Sequence, residues 1–323
     1  MLKDFFSVRV LVVIIPILFI GHIGRSQASI DLKAPPPVAS LFAKEFVSDQ
    51  FGNRDMAISP DGKELFYTLQ YRGGFALSVI MHSSRVKGIW TKPEVAFFSG
   101  QYADLEPAFS PDGQKLYFSS NRPIDTNSKK DFDIWYMTKK NNLWTSPVRM
   151  KSPVNTEKNE FYPSVTRSGT IYFTREVPGK DEDIVYCRFV NEIYDTAVSL
   201  PESINSSGAE FNAYIDPDEQ FIIYTAYKRK GNIGSGDLYI SYKDNTGNWN
   251  ESINMGNAIN GVGLTYCPYV SPDKKSFFFS SSREVFQFPF EKPKKMKEIR
   301  ALLAGVGNGW DNIYWVEAKQ WIK

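Results

Sequence analysis

Hydrophobic and polar residues alternate in short runs along most of the chain, and one pattern returns five times. Each copy has an apolar run, a turn rich in Pro, Asp and Gly, and a second run dense in aromatic residues. The copies occupy residues 56–68 (MAISPDGKELFYT), 107–119 (PAFSPDGQKLYFS), 163–174 (PSVTRSGTIYFT), 213–225 (AYIDPDEQFIIYT) and 268–280 (PYVSPDKKSFFFS), with starts 51, 56, 50 and 55 residues apart. Each copy predicts two antiparallel strands joined by a tight turn.

Two further strands follow each copy. The third reads DFDIWYM from Asp131, DEDIVYC from Asp181, GDLYISY from Gly236 and WDNIYWV from Trp310, with a less regular GFALSVIM from Gly74. The next turn ends at Trp90, Trp144, Tyr194, Trp249 or Trp321, before a short fourth strand. Four antiparallel strands in about 50 residues are typical of one blade of a β-propeller.

The two ends of the chain predict how the ring closes. The fifth repeat stops at Lys323, before its fourth strand. The spacing from Trp144 to Pro163, applied backwards from Met56, places the missing strand at residues 37–48. We therefore predict an all-β fold, a propeller of five four-stranded blades in a single domain (37–323), closed by pairing of residues 37–48 with the last blade. Six blades are the alternative, if one degenerate repeat is hidden.

The first 28 residues predict a signal peptide. Lys3 and Arg9 precede an apolar run at residues 10–20, and Ser26-Gln27-Ala28 supplies small residues for cleavage. A retained N-terminal anchor is the alternative, although the run is short for a membrane span. Residues 29–36 would then be a linker, and the protein would be exported to the periplasm or the cell surface, with no transmembrane segment after cleavage.

The charge balance indicates which partners to expect, and the cysteines indicate whether a disulfide forms. Without residues 1–28 the chain has 35 basic and 35 acidic residues. Because this balance creates no global basic field, we expect no nucleic-acid partner. We also expect the protein to be a monomer. The two cysteines, Cys187 and Cys267, lie in different repeats and on different strand types, which predicts two buried free thiols.

The repeats resemble the WD-like propeller repeat of TolB-type periplasmic proteins. The similarity lies in the Ser-Pro-Asp-Gly turns, the Leu-Tyr-Phe-Ser strand, Asn121-Arg122 and Ser282-Arg283, and the Asp-Ile-Trp/Tyr strand, and it extends over residues 37–323. The resemblance implies a platform for protein interactions in the periplasm. Related repeats form propeller domains of peptidases and of some polysaccharide lyases. TolB typically has six blades and an additional N-terminal domain, and neither is predicted here.

Motifs of common enzymes are absent from the sequence. There is no GxSxG, P-loop, dinucleotide-binding fingerprint or HExxH. His82 is the only histidine after residue 28, so a multi-histidine metal site is excluded. The sequence therefore favours a protein without catalytic activity.

Polar residues nevertheless precede the inner strands, where a propeller has one mouth of its central channel. The predicted ligand-binding residues are Asp55, Asp104, Glu106, Glu160, Tyr162, Glu210 and Asn212. Crowded carboxylates attract cations, so Ca²⁺ is a further candidate, although no metal or other cofactor is required. Acid/base catalysis by Asp104, Glu106, Glu160 and Glu210 is an alternative. The simplest alternative is that these groups bind backbone amides and basic neighbours.

Three further features carry expectations. Arg122 and Arg283 follow the repeated two-strand pattern, and Asp133 and Asp311 open third strands, which suggests an ion pair within each blade. The Trp series predicts packing at blade edges or a platform for sugars. An insertion at residues 284–309 contains a basic run and a predicted helix at 296–303 that ends near Gly305. The insertion forms either a solvated loop or a contact for a partner.

The sequence thus predicts an exported binding or scaffold propeller that holds a protein or glycan at the channel mouth. The alternative is a carbohydrate-active hydrolase or lyase that uses the carboxylates of the mouth.

Overall fold

A computed structural model describes residue 30, residue 32 and residues 34–71, 75, 77–124 and 131–322. Five antiparallel sheets form a five-bladed β-propeller, as predicted. The predicted signal peptide lies outside the described residues. In the part of the chain that is described, none of the helices has the length and apolarity to span a membrane.

The strands run from the channel outwards in each blade. Blade 1 contains β2 (Gly52–Ile58), β3 (Glu64–Gln70), β4 (Ser78–Val86), β5 (Ile89–Trp90) and β6 (Glu94–Val95). Blade 2 contains β7 (Asp104–Phe109), β8 (Lys115–Ser120), β9 (Asp133–Lys140), β10 (Leu143–Trp144) and β11 (Val148–Arg149). Blade 3 contains β12 (Glu160–Val165), β13 (Ile171–Val177), β14 (Lys180–Cys187), β15 (Phe189–Val190), β16 (Ile193–Tyr194) and β17 (Val198–Ser199). Blade 4 contains β18 (Ala209–Ile215), β19 (Phe221–Tyr227), β20 (Gly236–Tyr242) and β21 (Ile253–Asn254). Blade 5 contains β22 (Thr265–Val270), β23 (Ser276–Ser281), β24 (Asn312–Glu317) and, from the N-terminal part of the chain, β1 (Ser40–Leu41).

The ring is closed by β1, as the spacing predicts. Ser40 pairs with Trp315 and Leu41 with Tyr314, and the Phe42 N–H donates to the Ile313 carbonyl at 2.8 Å. The paired stretch is shorter than the predicted 37–48, because the chain turns immediately after it. The closure therefore satisfies the outer edge of β24 without a covalent bond.

The inner strands β2, β7, β12, β18 and β22 all start at one face of the ring, here called the mouth face. They end in the Pro-containing or Ser-Gly turns of the opposite face, here called the turn face. Each inner strand shifts register once against its neighbour, which marks a β-bulge. Bulges bend a strand and redirect its side chains, so this repeated irregularity decides which residues meet at the axis.

The hydrophobic core is divided among the blades. Five clusters fill the spaces between neighbouring blades, and a sixth lies at the axis. The Trp series contributes to the clusters between blades, and Trp90 is only 1% exposed. Cys187 and Cys267 are buried free thiols, which confirms that prediction.

The insertion in blade 5 contains the predicted helix, α1 (Met296–Leu303), with Gly305 just beyond its end. The Lys295 N–H donates a hydrogen bond to Glu298 Oε2 at 2.9 Å, which caps the first turn. No residue of α1 is buried. The helix therefore lies on the surface of the propeller and contributes little to its core.

Candidate functional site at the channel mouth

Five equivalent residues form a ring at the axis, one from each bulge. Each has a positive φ, between 49° and 61°, although none is a glycine. They are Asp55, Glu106, Tyr162, Asn212 and Cys267. A left-handed backbone costs a non-glycine residue free energy, so its fivefold repetition is an architectural feature of the inner strands.

Contacts between these residues cross the channel. The Tyr162 hydroxyl donates to the Pro268 carbonyl at 3.0 Å, and Asn212 Nδ2 donates to Cys267 Sγ at 3.1 Å. Glu106 Oε2 accepts the Tyr162 N–H at 2.7 Å. All five residues of the ring are buried. Side chains therefore fill the channel at this level.

Arg54 supplies the positive charge opposite the two carboxyl groups of the ring, Asp55 and Glu106. Its guanidinium lies 2.8 Å from Asp55 and 3.0 Å from Glu106, and its side chain is 8% exposed. The Tyr266 ring packs against the same guanidinium at 4.7 Å. Burial, and then the Asp55 carboxylate, raise the pKa of Glu106 to about 8 against the opposing effect of Arg54. At neutral pH the trio of Arg54, Asp55 and protonated Glu106 is therefore electrically balanced.

We expect the stability of the protein to fall with rising pH because of Glu106. Between its ordinary pKa near 4.5 and about 8 the folded state binds one more proton than the unfolded state. The free energy of unfolding should then decrease with a slope of about 1.4 kcal/mol per pH unit in that window, relative to Glu106→Gln. Urea unfolding of both proteins at several pH values between 5 and 8 measures the difference. Parallel pH dependences would contradict the raised pKa.

The other predicted carboxylates are held inside their own blades. Asp104 lies 2.6 Å from Arg122, Glu160 lies 2.9 Å from Arg175, and Glu210 lies 3.6 Å from Arg229. All three carboxylates are fully buried. The arginines also donate to backbone carbonyls of the loop that precedes the inner strand. These pairs therefore fasten each blade to the loop leading into it, which is a structural role.

The ion pair expected between Arg122 and Asp133 is not formed. Arg122 pairs with Asp104 instead, and Asp133 accepts both hydrogen bonds of Arg149, at 2.6 and 2.7 Å. Arg283 donates to the Ile259 carbonyl. The expectation was wrong in its pairing because the inner strand begins with a carboxylate that lies closer to the arginine than Asp133 does.

An aromatic layer covers the ring towards the mouth face. It is built from the residues that precede the ring positions, among them Phe161, Phe211 and Tyr266, and Phe75 stacks on Phe161 at 5.4 Å. Sequence reasoning missed this layer, together with Arg54. Aligning the repeats at this column would have shown Arg54 in place of the Leu, Phe or Tyr of the other blades.

Two acidic groups lie beside this layer: Glu182, which sequence reasoning missed, and Asp311, which it had named only as a partner for an ion pair within the blade. Burial, and then the carboxylates of Glu176 and Asp181, raise the pKa of Glu182 to about 7. Burial also raises the pKa of Asp311. Glu182 lies in a third strand and Asp311 immediately precedes one, so neither was among the residues predicted for the mouth, which were taken from the start of the inner strands.

On the turn face the channel is open but narrow. A cavity of about 100 Å³ lies among the Pro residues of the turns, including Pro60, Pro111 and Pro217. A second cavity of about 30 Å³ continues inwards to Glu106 and Tyr162. These volumes suit water molecules and small groups, and they are below the range of typical ligand pockets.

No cluster in the described part of the chain has three His, Cys, Asp or Glu side chains grouped to hold a metal ion. The expectation of a Ca²⁺ site remains a prediction that rests on the sequence alone.

Comparisons with known proteins find similar folds among solved structures. No protein-family model and no curated protein matches the chain. Among solved structures, one described as TolB of Agrobacterium tumefaciens matches at 14% identity over 83% of this chain and 90% of its own, with a TM-score of 0.48. A glycoside hydrolase matches at 8% identity over 88% and 92%, with a TM-score of 0.52. CoXyl43, a GH43 β-xylosidase/α-arabinofuranosidase from a compost microbial metagenome, matches at 10% identity over 87% and 95%, with a TM-score of 0.48. At such identities the similarity shows the β-propeller fold alone, a fold that serves unrelated activities.

Proposed function

We propose that the protein is an exported, non-enzymatic binding propeller whose mouth face docks a protein partner. One observation carries the proposal: the polar groups of the channel are buried and bound to one another, whereas apolar side chains are exposed on the loops around the mouth. Exposed apolar surface rimmed by polar residues is typical of protein–protein contacts. The N-terminal pattern of the sequence supports export to the periplasm or the cell surface.

The exposed apolar residues come from loops of several blades. On the mouth face they are Phe51, Tyr71, Phe75, Leu77, Ile124, Ile233, Val262, Val285, Phe288, Met296, Leu303 and Trp310. Phe288 is 80% exposed, which is unusual for a large aromatic side chain. Four of these exposed residues belong to the insertion 284–309: Val285, Phe288, Met296 and Leu303. The insertion is therefore the part of the face best placed to reach a partner.

The charge of the insertion indicates the chemistry of that partner. Its exposed basic residues are Lys292, Lys294, Lys295, Lys297 and Arg300, and its acidic residues are Glu284, Glu291 and Glu298. The Lys294–Glu298 pair at 3.6 Å is largely solvated. Because the basic residues are in excess, a partner with an acidic rim around an apolar centre would be complementary.

Site-specific photocrosslinking in the native cell envelope tests this proposal. A photoreactive residue at Phe288 should give a discrete protein adduct, and one at Leu143, which is 74% exposed on the outer edge of blade 2, should give none. Raising the salt concentration should weaken the Phe288 adduct, because charge complementarity is screened. The absence of a Phe288 adduct, or equal adducts from both positions, would overturn the proposal.

The alternative function, a carbohydrate-active hydrolase or lyase, has one specific observation in its favour. Glu106 has a raised pKa, lies close to Arg54 and Asp55, and borders the small cavity of the channel. A protonated carboxyl beside an ionised one is the arrangement that glycoside hydrolysis needs. Release of reducing sugar from a polysaccharide by the intact protein, abolished in Glu106→Gln, would replace the binding function with this one.

A further inference from the structure

A groove between blades 3 and 4 is separate from the channel mouth. It opens towards the turn face and encloses about 410 Å³, within the range of small-molecule sites. Its walls include Thr170, Tyr186, Arg188, Glu219, Lys243 and Trp249. None of these residues takes part in the mouth.

The equivalent position between blades 1 and 2 is filled. There the Glu64 carboxylate receives the Trp144 indole N–H at 3.0 Å and the Lys139 ammonium at 2.5 Å, and His82 lies 3.6 Å away. Burial opposes ionisation of Glu64, but hydrogen bonds from His82, Lys139 and Trp144 outweigh it and lower its pKa to about 2. One long acidic side chain thus binds the tryptophan at the blade edge and closes the space beside it.

The register of the strands identifies the matching residues in blades 3 and 4. Glu64 precedes Leu65, which pairs with Ser83, and Thr170 precedes Ile171, which pairs with Cys187. Thr170 therefore occupies the position of Glu64. By the same register Tyr186 matches His82, Lys243 matches Lys139, and Trp249 matches Trp144. The short Thr170 side chain cannot reach the tryptophan, which leaves the groove open.

Two aromatic surfaces line the open groove. Trp249 is partly exposed, and the Lys243 ammonium lies 4.9 Å from its ring centre. Tyr186 is partly exposed and stacks on the buried Tyr172 at 5.3 Å, so its ring is held in place. Rigid aromatic faces with polar neighbours suit a ligand that has both apolar and hydrogen-bonding sides.

Polar groups surround these aromatic faces, and their charges are already balanced. Glu219 accepts the Tyr172 hydroxyl at 2.6 Å and lies 3.4 Å from Lys243. Arg188 pairs with Asp195 at 2.7 Å. A charged ligand would have to displace one of these pairs, whereas a neutral ligand with several hydroxyl groups could bind to them as they are.

We propose that the groove between blades 3 and 4 binds a neutral saccharide, with a sugar ring stacked on Trp249 or Tyr186 and its hydroxyls bonded to Glu219, Lys243 and Arg188. The C–H face of a pyranose matches an aromatic ring, and the hydroxyls match the mixed donors and acceptors of the walls. The inference does not depend on a protein partner at the mouth face, because the two surfaces share no residue.

Isothermal titration with four neutral sugars, xylotriose, cellotriose, maltotriose and N,N′,N″-triacetylchitotriose, tests the proposal on the intact protein. We expect saturable binding of at least one trisaccharide, and an affinity at least about tenfold lower in Trp249→Ala. Thr170→Glu should lower the affinity by a similar factor, because a glutamate there would fill the groove as Glu64 fills its counterpart. Trp144→Ala is the matched control and should bind the trisaccharide within about twofold of the unmodified protein.

Two results would overturn the proposal. One is the absence of binding by all four trisaccharides at concentrations up to roughly 10 mM. The other is binding that survives both Trp249→Ala and Thr170→Glu, since the sugar would then occupy a different surface. Thr170→Glu keeps Trp249 in place, so the test stands even where the alanine variant fails to fold.

Discussion

Replacing Arg54 by Met is expected to lower the free energy of unfolding by about 3–5 kcal/mol, the cost of removing one partner from a buried ion pair. Arg54 is the cation that lies between Asp55 and Glu106 at the axis. Without it the buried Asp55 carboxylate has lost its counter-charge and Glu106 has lost a donor. The cavity beside Glu106 has a volume of about 30 Å³, which is room for individual water molecules but not for the bulk solvent that would be needed to stabilise an unpaired carboxylate.

Urea unfolding at pH 7 measures the loss, and Arg167→Met is the matched control. Arg167 pairs with Asp218 at 2.8 Å, but its side chain is 60% exposed, so its replacement should cost at most about 1 kcal/mol. The triple variant Arg54→Met, Asp55→Asn, Glu106→Gln should regain part of the stability, because it removes the buried charges together. A loss in Arg54→Met no larger than in Arg167→Met would show that the trio is solvated.

The architecture of the protein could be predicted because its signals are local and repeated. A turn with Pro, Asp and Gly between two alternating runs identifies a hairpin from a few adjacent residues, and five copies at similar spacing indicate five blades. The closing strand followed from the same spacing. Helix α1 could be located because apolar residues and a final glycine mark it within a short segment.

The candidate site was less predictable, because its contacts join residues that are far apart in the chain. Arg54 and Glu106 are separated by 52 positions and meet only because each inner strand bulges at its left-handed residue. The bulge separates Glu106, at the axis, from Asp104, which is bound inside its blade. Simple alternation along a strand assigns both carboxylates to the same side, and the sequence contains no local sign of the bulge.

The groove shows the same limitation at the level of one side chain. From the repeated tryptophans we predicted either packing at blade edges or a surface on which a sugar stacks, and the residue type alone does not distinguish the two. The difference between Trp144 and Trp249 lies in the neighbouring blade, where Glu64 reaches one tryptophan and the shorter Thr170 does not reach the other. Repeat alignment identifies such a substitution only once the strand register is known.

The closure of the ring should depend on one aromatic side chain. Strand β1 pairs with β24 over only two residues, Ser40 and Leu41, so backbone hydrogen bonds alone hold it weakly. The next residue, Phe42, is fully buried and packs edge-on against Phe278 at 5.1 Å and Trp315 at 5.4 Å. It therefore fastens the N-terminal segment to the third and second strands of blade 5.

Phe42→Ala is expected to destabilise the protein by about 3–5 kcal/mol, through the lost burial of the ring and the cavity that remains. Val38→Ala, in the same segment but 74% exposed, should change the stability by no more than about 0.5 kcal/mol. Urea unfolding compares the two, and amide hydrogen exchange should show faster opening of β24 in Phe42→Ala only. If both variants unfold alike and β24 stays protected, the short backbone pairing closes the ring without the aromatic anchor. A large loss with early exchange in β24 would instead show that the fifth blade opens first when its last strand is released.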